Sequence, residues 1–270
     1  FKIQIFMVDT NIMTRIREEE YEKKINITGQ KFSCDDVDKS IPKPLPQAGG
    51  FGLLIIGKPG MGKTSLILSL ICKQGKCFNR KFDRVFIFSP SLITMEDDPF
   101  ETIPDDQKYE TASTENIEDV LETIKDSGEK VLLVLDDCIS EIRGKGRGEV
   151  EQLLEKIFFN RRHLCGAGGS CSIIATSQTY NKISPKLRKT ASQIVFYKNL
   201  HKKELDSIFD EMILIPKKEF YDVCQYIYKK KHDFMYLDTT LDPHKMIHRN
   251  FNPLNITSPN ISKDFEFDNL

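Results

Sequence analysis

Short runs dense in apolar residues recur along this chain: FGLLIIG at 51–57, RVFIFSP at 84–90, KVLLVLDD at 130–137, CSIIATSQ at 171–178, QIVFY at 193–197 and FMYLD at 234–238. They are nearly continuous in apolar, often β-branched or aromatic residues and do not alternate apolar with polar. Strands of that kind are covered on both faces. Between them, segments at about 63–73, 116–127, 149–163, 202–213 and 217–231 carry helical spacing. Strands alternating with helices predict an α/β domain of three layers over 49–240, a mainly parallel sheet flanked by helices.

The two ends lack this regularity. Residues 1–48 read as an N-terminal extension: a short apolar stretch, a charged helix candidate, then Ser40-Ile-Pro-Lys-Pro-Leu-Pro46, whose alternate prolines cannot join a helix and favour an extended linker. Residues 241–270, rich in Asn, Asp and Pro, read as a loosely attached tail.

Candidate chemistry begins where the first strand ends. FGLLIIG runs straight into Gly57-Lys58-Pro59-Gly60-Met61-Gly62-Lys63-Thr64, and the apolar-periodic SLILSLICK follows without a break. That is the full G-x-x-x-x-G-K-[ST] pattern between a strand and a helix. The glycines let the backbone curl so that its N–H groups converge, and a polyphosphate sits there at the positive end of the helix dipole. Lys63 is expected to reach the β- and γ-phosphates of a nucleotide, and the Thr64 hydroxyl to ligate Mg²⁺. Ser65 is either a second hydroxyl near the metal or a first-turn helix residue.

A nucleoside triphosphatase of this kind needs a carboxylate for the metal on a neighbouring strand. KVLLVLDD delivers Asp136 and Asp137 at the carboxyl end of a strand, where open α/β sheets place their ligands. Asp136 is read as the Mg²⁺ partner, directly or through water, and Asp137 as the base or orienter of the attacking water. CSIIATSQ ends another strand in Thr176, Ser177 and Gln178. The Gln178 amide is read as a sensor that bonds both water and γ-phosphate.

Composition and charge narrow the class. The 270 residues are 39% hydrophobic and 29% charged, as in an ordinary globular protein. The longest apolar runs fall far short of the roughly 20 residues that span a bilayer. Seven scattered cysteines without a CxxC pair read as reduced thiols in an intracellular setting. Lys and Arg (39) nearly cancel Asp and Glu (40), which excludes a uniformly basic nucleic-acid coat.

The charges are nonetheless segregated. Residues 96–129 hold thirteen acidic residues against two lysines, and 181–203 hold seven basic residues and no acid. The basic strip reads as a phosphate-facing surface or a solvated face. The same two readings apply to the loop Arg143-Gly-Lys-Gly-Arg147-Gly. Phe-Asn-Arg-Arg-His at 159–163 closes a helix that starts with acids, which suits helix capping. Arg162 and Arg188 are the candidates for an arginine that completes the transition-state charge in a neighbouring subunit.

Together, GKPGMGKTS, VLLVLDDC and NRRHLCGAGGSCSIIATSQTYNKISPKLR resemble the genome-packaging ATPases of large eukaryotic DNA viruses, virophages and related elements. That group is a branch of the FtsK/HerA superfamily of P-loop motors. The likeness runs over about 50–240 and includes FDRVFIFSPS and KKHDFMYLD. It implies a P-loop NTPase fold and ATP-driven translocation of double-stranded DNA into a preformed capsid by a homo-oligomeric ring. The implied partners are DNA, capsid proteins and further copies of the chain. The implied setting is the host cytoplasm or a viral factory, with association with the virion.

By the same resemblance, Lys63 and Thr64 bind nucleotide and Mg²⁺, Asp136 and Asp137 act at metal and water, and Gln178 is the sensor. A nucleotide-dependent switch or scaffold acting through protein partners is the alternative. GTP specificity is not expected, because Asn181-Lys182-Ile183-Ser184 lacks the aspartate of N-K-x-D, and no LSGGQ-like transporter signature occurs.

Overall fold

The structure is a computed structural model that describes residues 33–72, 77–93, 98–138, 148–198 and 201–256. The described residues all fall within one compact unit, Phe32–Leu270, and the first part of the expected N-terminal extension, 1–32, lies outside them. The six apolar runs all become strands: β1 (Gly52–Ile56), β2 (Arg84–Phe88), β4 (Lys130–Leu135), β5 (Ser170–Ser177), β6 (Gln193–Tyr197) and β7 (Phe234–Asp238). Three short strands join them: β3 (Lys108–Tyr109), β8 (Ile247–Arg249) and β9 (Asn252–Pro253). The nine form one sheet in the order β3-β2-β4-β5-β1-β6-β7-β8-β9. Pairing is parallel from β3 to β6 and antiparallel from β6 to β9.

Both faces of the sheet are buried, which is why its strands read as unbroken apolar runs. Leu54, Ile56, Phe88, Leu133, Ile173 and Phe196 point to one face. There they meet α2 (Thr114–Ile124), α3 (Gly148–Asn160), α4 (Pro185–Thr190), α5 (Lys202–Met212) and α6 (Lys217–Ile227). Leu53, Ile55, Ile87, Val134, Ile174 and Val195 point to the other, where the one helix among the described residues is α1 (Lys63–Ile71).

The imbalance between faces explains a departure from expectation. The Pro-rich stretch does not run free as a linker: Ile41 and Leu45 are buried with Phe51 and Phe78, and the Tyr236 hydroxyl donates to the Pro44 carbonyl at 2.8 Å. A face with one helix leaves apolar strand surface uncovered, and this strap covers it. The chain therefore joins the core well before Gly49. At the other end, β8 and β9 follow residue 240 and extend the sheet, so the first part of the expected tail is structured.

Helix ends follow local chemistry. The Ser113 hydroxyl accepts from the Asn116 amide at 3.1 Å and starts α2, two residues before the apolar pattern suggests. Ser184 does the same for Leu187 at 3.3 Å, with Pro185 at the first position of α4. No described helix is long and apolar enough to cross a membrane.

Candidate active site

The parallel strands bring their carboxyl ends to one edge, with β1 between β5 and β6 and β4 beyond β5. β1 delivers the loop 57–62, whose entry is fixed by the Gly57 amide donating to the Ser177 carbonyl at 3.0 Å. Gly60 and Gly62 take φ of 74° and 100°, the left-handed region that a side chain resists. Gly57 is needed for space: a Cβ there would lie 2.9 Å from the Tyr197 Cβ. Gly62 caps α1 without a side-chain hydrogen bond, so no side-chain cap occupies the first-turn amides at that end. Lys58, Pro59 and Gly60 are exposed, while Met61 is buried and anchors the loop in the core.

The acid pair lies against this loop. The Asp136 amide donates to the Phe88 carbonyl at 2.9 Å, which carries the end of β4 alongside β2. Its carboxylate is 2% exposed and accepts two hydroxyls, Thr64 Oγ1 at 3.0 Å and Thr176 Oγ1 at 2.9 Å. The register Leu135↔Ala175 between β4 and β5 sets Thr176 beside Asp136. Thr176 Oγ1 also accepts the Asp137 amide at 2.7 Å, so one buried hydroxyl fixes both acids. Burial raises the Asp136 pKa, and the neighbouring Asp137 charge adds to the rise; the Thr176 and Thr64 hydrogen bonds and Lys63 oppose it.

Asp137 turns out of the strand at φ 54° and is far more open, with a 40% exposed side chain. Its Oδ1 lies 3.3 Å from Nζ of Lys63, itself 5% exposed. The lysine that ends the loop thus pairs with the second acid.

Mg²⁺ fits this donor set. Thr64 Oγ1 and Asp136 Oδ2 are hard oxygens 3.0 Å apart, close to the spacing of adjacent oxygens around a six-coordinate Mg²⁺, about 2.9 Å for 2.0–2.1 Å bonds. A buried carboxylate with a raised pKa gains from a cation. Among the described residues no group of three His, Cys, Asp or Glu could hold a metal alone, as expected where phosphate and water supply the other ligands.

Other expected site residues are dispersed. Ser65 lies in the first turn of α1 and is exposed. Gln178 is exposed immediately after β5, at the same edge as the loop. Arg161 caps α3 by donating to the Phe158 carbonyl at 2.5 Å, while Arg162 is 43% exposed and pairs with Asp35. A Cβ on Gly50 would meet the Arg162 Cγ, so Arg162 lies at the amino ends of the strands, opposite the phosphate loop.

Arg188 is enclosed rather than projecting. It pairs with Glu211 at 2.9 Å, donates to Asn181 at 3.2 Å and stacks 4.3 Å from the Tyr180 ring, with 8% exposure. That ties it to α5 and leaves Arg162 the accessible candidate for a second subunit. Within the basic strip, Lys186 also pairs in the chain, with Glu155 at 2.9 Å. The loop at 143–147 lies outside the described residues.

Two residues bear on the loop that the sequence does not single out. The Tyr197 hydroxyl donates to the Gly62 carbonyl at 3.1 Å, and His232 Nδ1 meets the Met61 carbonyl at 3.0 Å.

With strand, loop, helix and acid pair in register, comparison with known proteins becomes informative. The NACHT domain family matches residues 52–214, from the first residue of β1 to beyond α5. The chain belongs to the NACHT family. As a NACHT domain it is a P-loop NTPase, and with this acid pair and loop it is an ATPase. Among curated proteins none matches the chain in sequence.

Among solved structures, this NACHT chain is similar to the DNA-packaging ATPase B204 of Sulfolobus turreted icosahedral virus. The TM-score is 0.53 at 15% identity, over 75% of this chain and 97% of that one. It is also similar to the genome packaging NTPase B204 of Sulfolobus turreted icosahedral virus 2 in complex with ATP-gammaS. There the TM-score is 0.50 at 15% identity, over 76% and 98%. At this identity the likeness establishes the fold alone.

Proposed function

We propose that this protein is an ATP-hydrolysing motor that moves double-stranded DNA into a viral capsid. The observation that carries hydrolysis is the Asp136–Thr64–Thr176 network beside the phosphate loop, with Asp137 exposed at its mouth. The loop amides and Lys63 bind the triphosphate. Thr64 and Asp136 would hold Mg²⁺, which would supply charge neutralisation to the triphosphate. Asp137 orients a water and takes its proton as the water oxygen bonds to the γ-phosphorus. The bond from that phosphorus to the β–γ bridging oxygen breaks, leaving ADP and phosphate. Gln178, at the same edge, senses whether the γ-phosphate is present.

DNA translocation is supported by two further points. The B204 proteins that share this fold are described as genome- and DNA-packaging enzymes, and the charges are segregated along the chain. A ring closes through a heterologous contact between two different patches. Arg162, at the edge opposite the loop, suits such a contact by reaching a neighbour's nucleotide. Capsid proteins are the remaining partners, in the host cytoplasm or viral factory.

The test is ATP turnover by the purified protein with and without double-stranded DNA, alongside negative-stain imaging with an ATP analogue. A motor forms rings and hydrolyses several-fold faster with DNA. Rings whose turnover ignores DNA overturn the reading, and a DNA-indifferent monomer favours a nucleotide-dependent switch.

A further inference from the structure

Two residues outside the nucleotide-binding motif grip the phosphate loop from behind. Gly60 and Gly62, with positive φ, make the loop its own weakest joint. The carbonyls before and after the Gly62 Cα are both engaged. Met61 O meets His232 Nδ1 at 3.0 Å; Gly62 O receives the Tyr197 hydroxyl at 3.1 Å as well as the Leu66 amide of α1 at 2.9 Å. A carbonyl only accepts, so the His232 proton on this contact resides on Nδ1.

A peptide unit is planar and trans, with its N–H directed opposite to its C=O. Holding the Met61 carbonyl therefore aims the Gly62 N–H, and holding the Gly62 carbonyl aims the Lys63 N–H. Both amides are thereby turned away from the brace. Hydrogen bonds in a chain also polarise one another, which makes each of these amides a better donor.

The brace is itself rigid. Because β7 runs antiparallel to β6, with Tyr197 opposite Phe234, the turn before β7 returns to the edge where the loop lies. Asp233 fastens that turn by accepting the Lys229 and Lys230 amides at 3.1 and 2.8 Å, and pairs with Arg249 at 3.2 Å. The Tyr197 ring is buried, 5.4 Å from the Phe234 ring and against Gly57.

We propose that Tyr197 and His232 are positioning residues of the ATPase site, which act through the Met61 and Gly62 carbonyls to pre-orient the amides that receive the polyphosphate. The proposal rests on nucleotide binding and is independent of DNA. It is tested on the full chain by titration with the non-hydrolysable analogue AMP-PNP and Mg²⁺, beside thermal unfolding without ligand.

Tyr197→Phe keeps the ring and loses the donor; His232→Leu loses the donor; His232→Asn restores an N–H near the Nδ1 position. Each of the first two is expected to weaken AMP-PNP about three- to tenfold, the loss of one hydrogen bond's worth of orientation. The double variant should weaken it by about their product, and His232→Asn should stay within about twofold of the parent. Unliganded midpoints of the single variants should hold within about 5 °C, the loss of one hydrogen bond from the fold. Unchanged affinity in the two single variants overturns the proposal, as does His232→Asn binding no better than His232→Leu. Lost affinity that comes with a midpoint lowered by more than about 5 °C also counts against it, because packing then accounts for the effect.

Discussion

Thr176→Val replaces the hydroxyl that anchors both acids with a methyl of nearly the same shape. Thr176 is wholly buried, so neither orphaned group gains water in exchange. Asp136 Oδ1 loses a charge-assisted bond of 2.9 Å, and the Asp137 amide loses its acceptor at 2.7 Å. A buried bond to a charged group is worth about 1.5–3 kcal/mol, and an unsatisfied buried amide costs about 1–3 kcal/mol. Allowing for the added apolar burial, the net loss is about 3 kcal/mol. For a domain of this size that lowers the unfolding midpoint by about 6–12 °C.

The two losses separate by pH. Asp136 has a folded pKa above its ordinary value of 3.8, chiefly through burial. The folded state therefore holds this proton more tightly than the unfolded one, and stability falls as pH rises from about 3.8 through the folded value. Removing Thr176 takes away the strongest opposing contribution and moves that value higher still. Calorimetry should show the gap between parent and Thr176→Val narrowing as pH is lowered from neutrality toward 3.8, with a residue left from the Asp137 amide. Thr176→Ser, which keeps the hydroxyl, should unfold within about 2 °C of the parent. A Thr176→Val midpoint within about 1 °C of the parent, or a gap that widens on acidification, would refute the anchoring role.

Other consequences are as direct. Asp137→Asn, which tolerates the positive φ of that site, should bind ATP and lose about 10²-fold or more in turnover, whereas Lys63→Ala should lose binding itself; full hydrolysis by Asp137→Asn sinks the assignment of Asp137 as base. Arg188→Ala should destabilise the fold by about 3 kcal/mol by leaving Glu211 and Tyr180 without their buried partner. Arg162→Ala, at a half-exposed pair, should cost less than about 1 kcal/mol in denaturant titrations yet lower turnover of the assembled ring by about 10³-fold. Equal stability losses in the two arginine variants would contradict the contrast in their surroundings.

The strands were legible because buried parallel strands are apolar throughout. QIVFY and FMYLD match β6 and β7 to the residue. The loop motif and the acid pair were legible because their chemistry is local in sequence. The shortest elements escaped: β3, β8 and β9 have two or three residues, too few for any period, and α4, with six, makes fewer than two turns, although its Ser184-Pro185 start was in plain view.

Long-range placements were invisible for another reason. Thr176 stood out only as a polar residue ending a strand; that it holds Asp136 depends on the pairing of β4 with β5. His232 touches a residue 171 positions away, and no spacing rule reaches that far. The strap at 34–47 was misread because alternate prolines report backbone shape and say nothing of what Ile41 and Leu45 cover.

The place of β1 at the centre of the sheet has a consequence for how the chain is made. Its neighbours β5 and β6 lie about 120 and 140 residues further along, so β1 and the loop it carries are synthesised long before anything can pair with them. Closing loops of that length makes folding slow. Until residue 177 is available the apolar run 51–56 has neither of its strand partners, and until residue 197 it lacks one of them, an interval in which it is exposed to aggregation. The nucleotide pocket is thus among the last parts to form, and a nascent chain interrupted before β6 should neither hold ATP nor remain soluble without assistance.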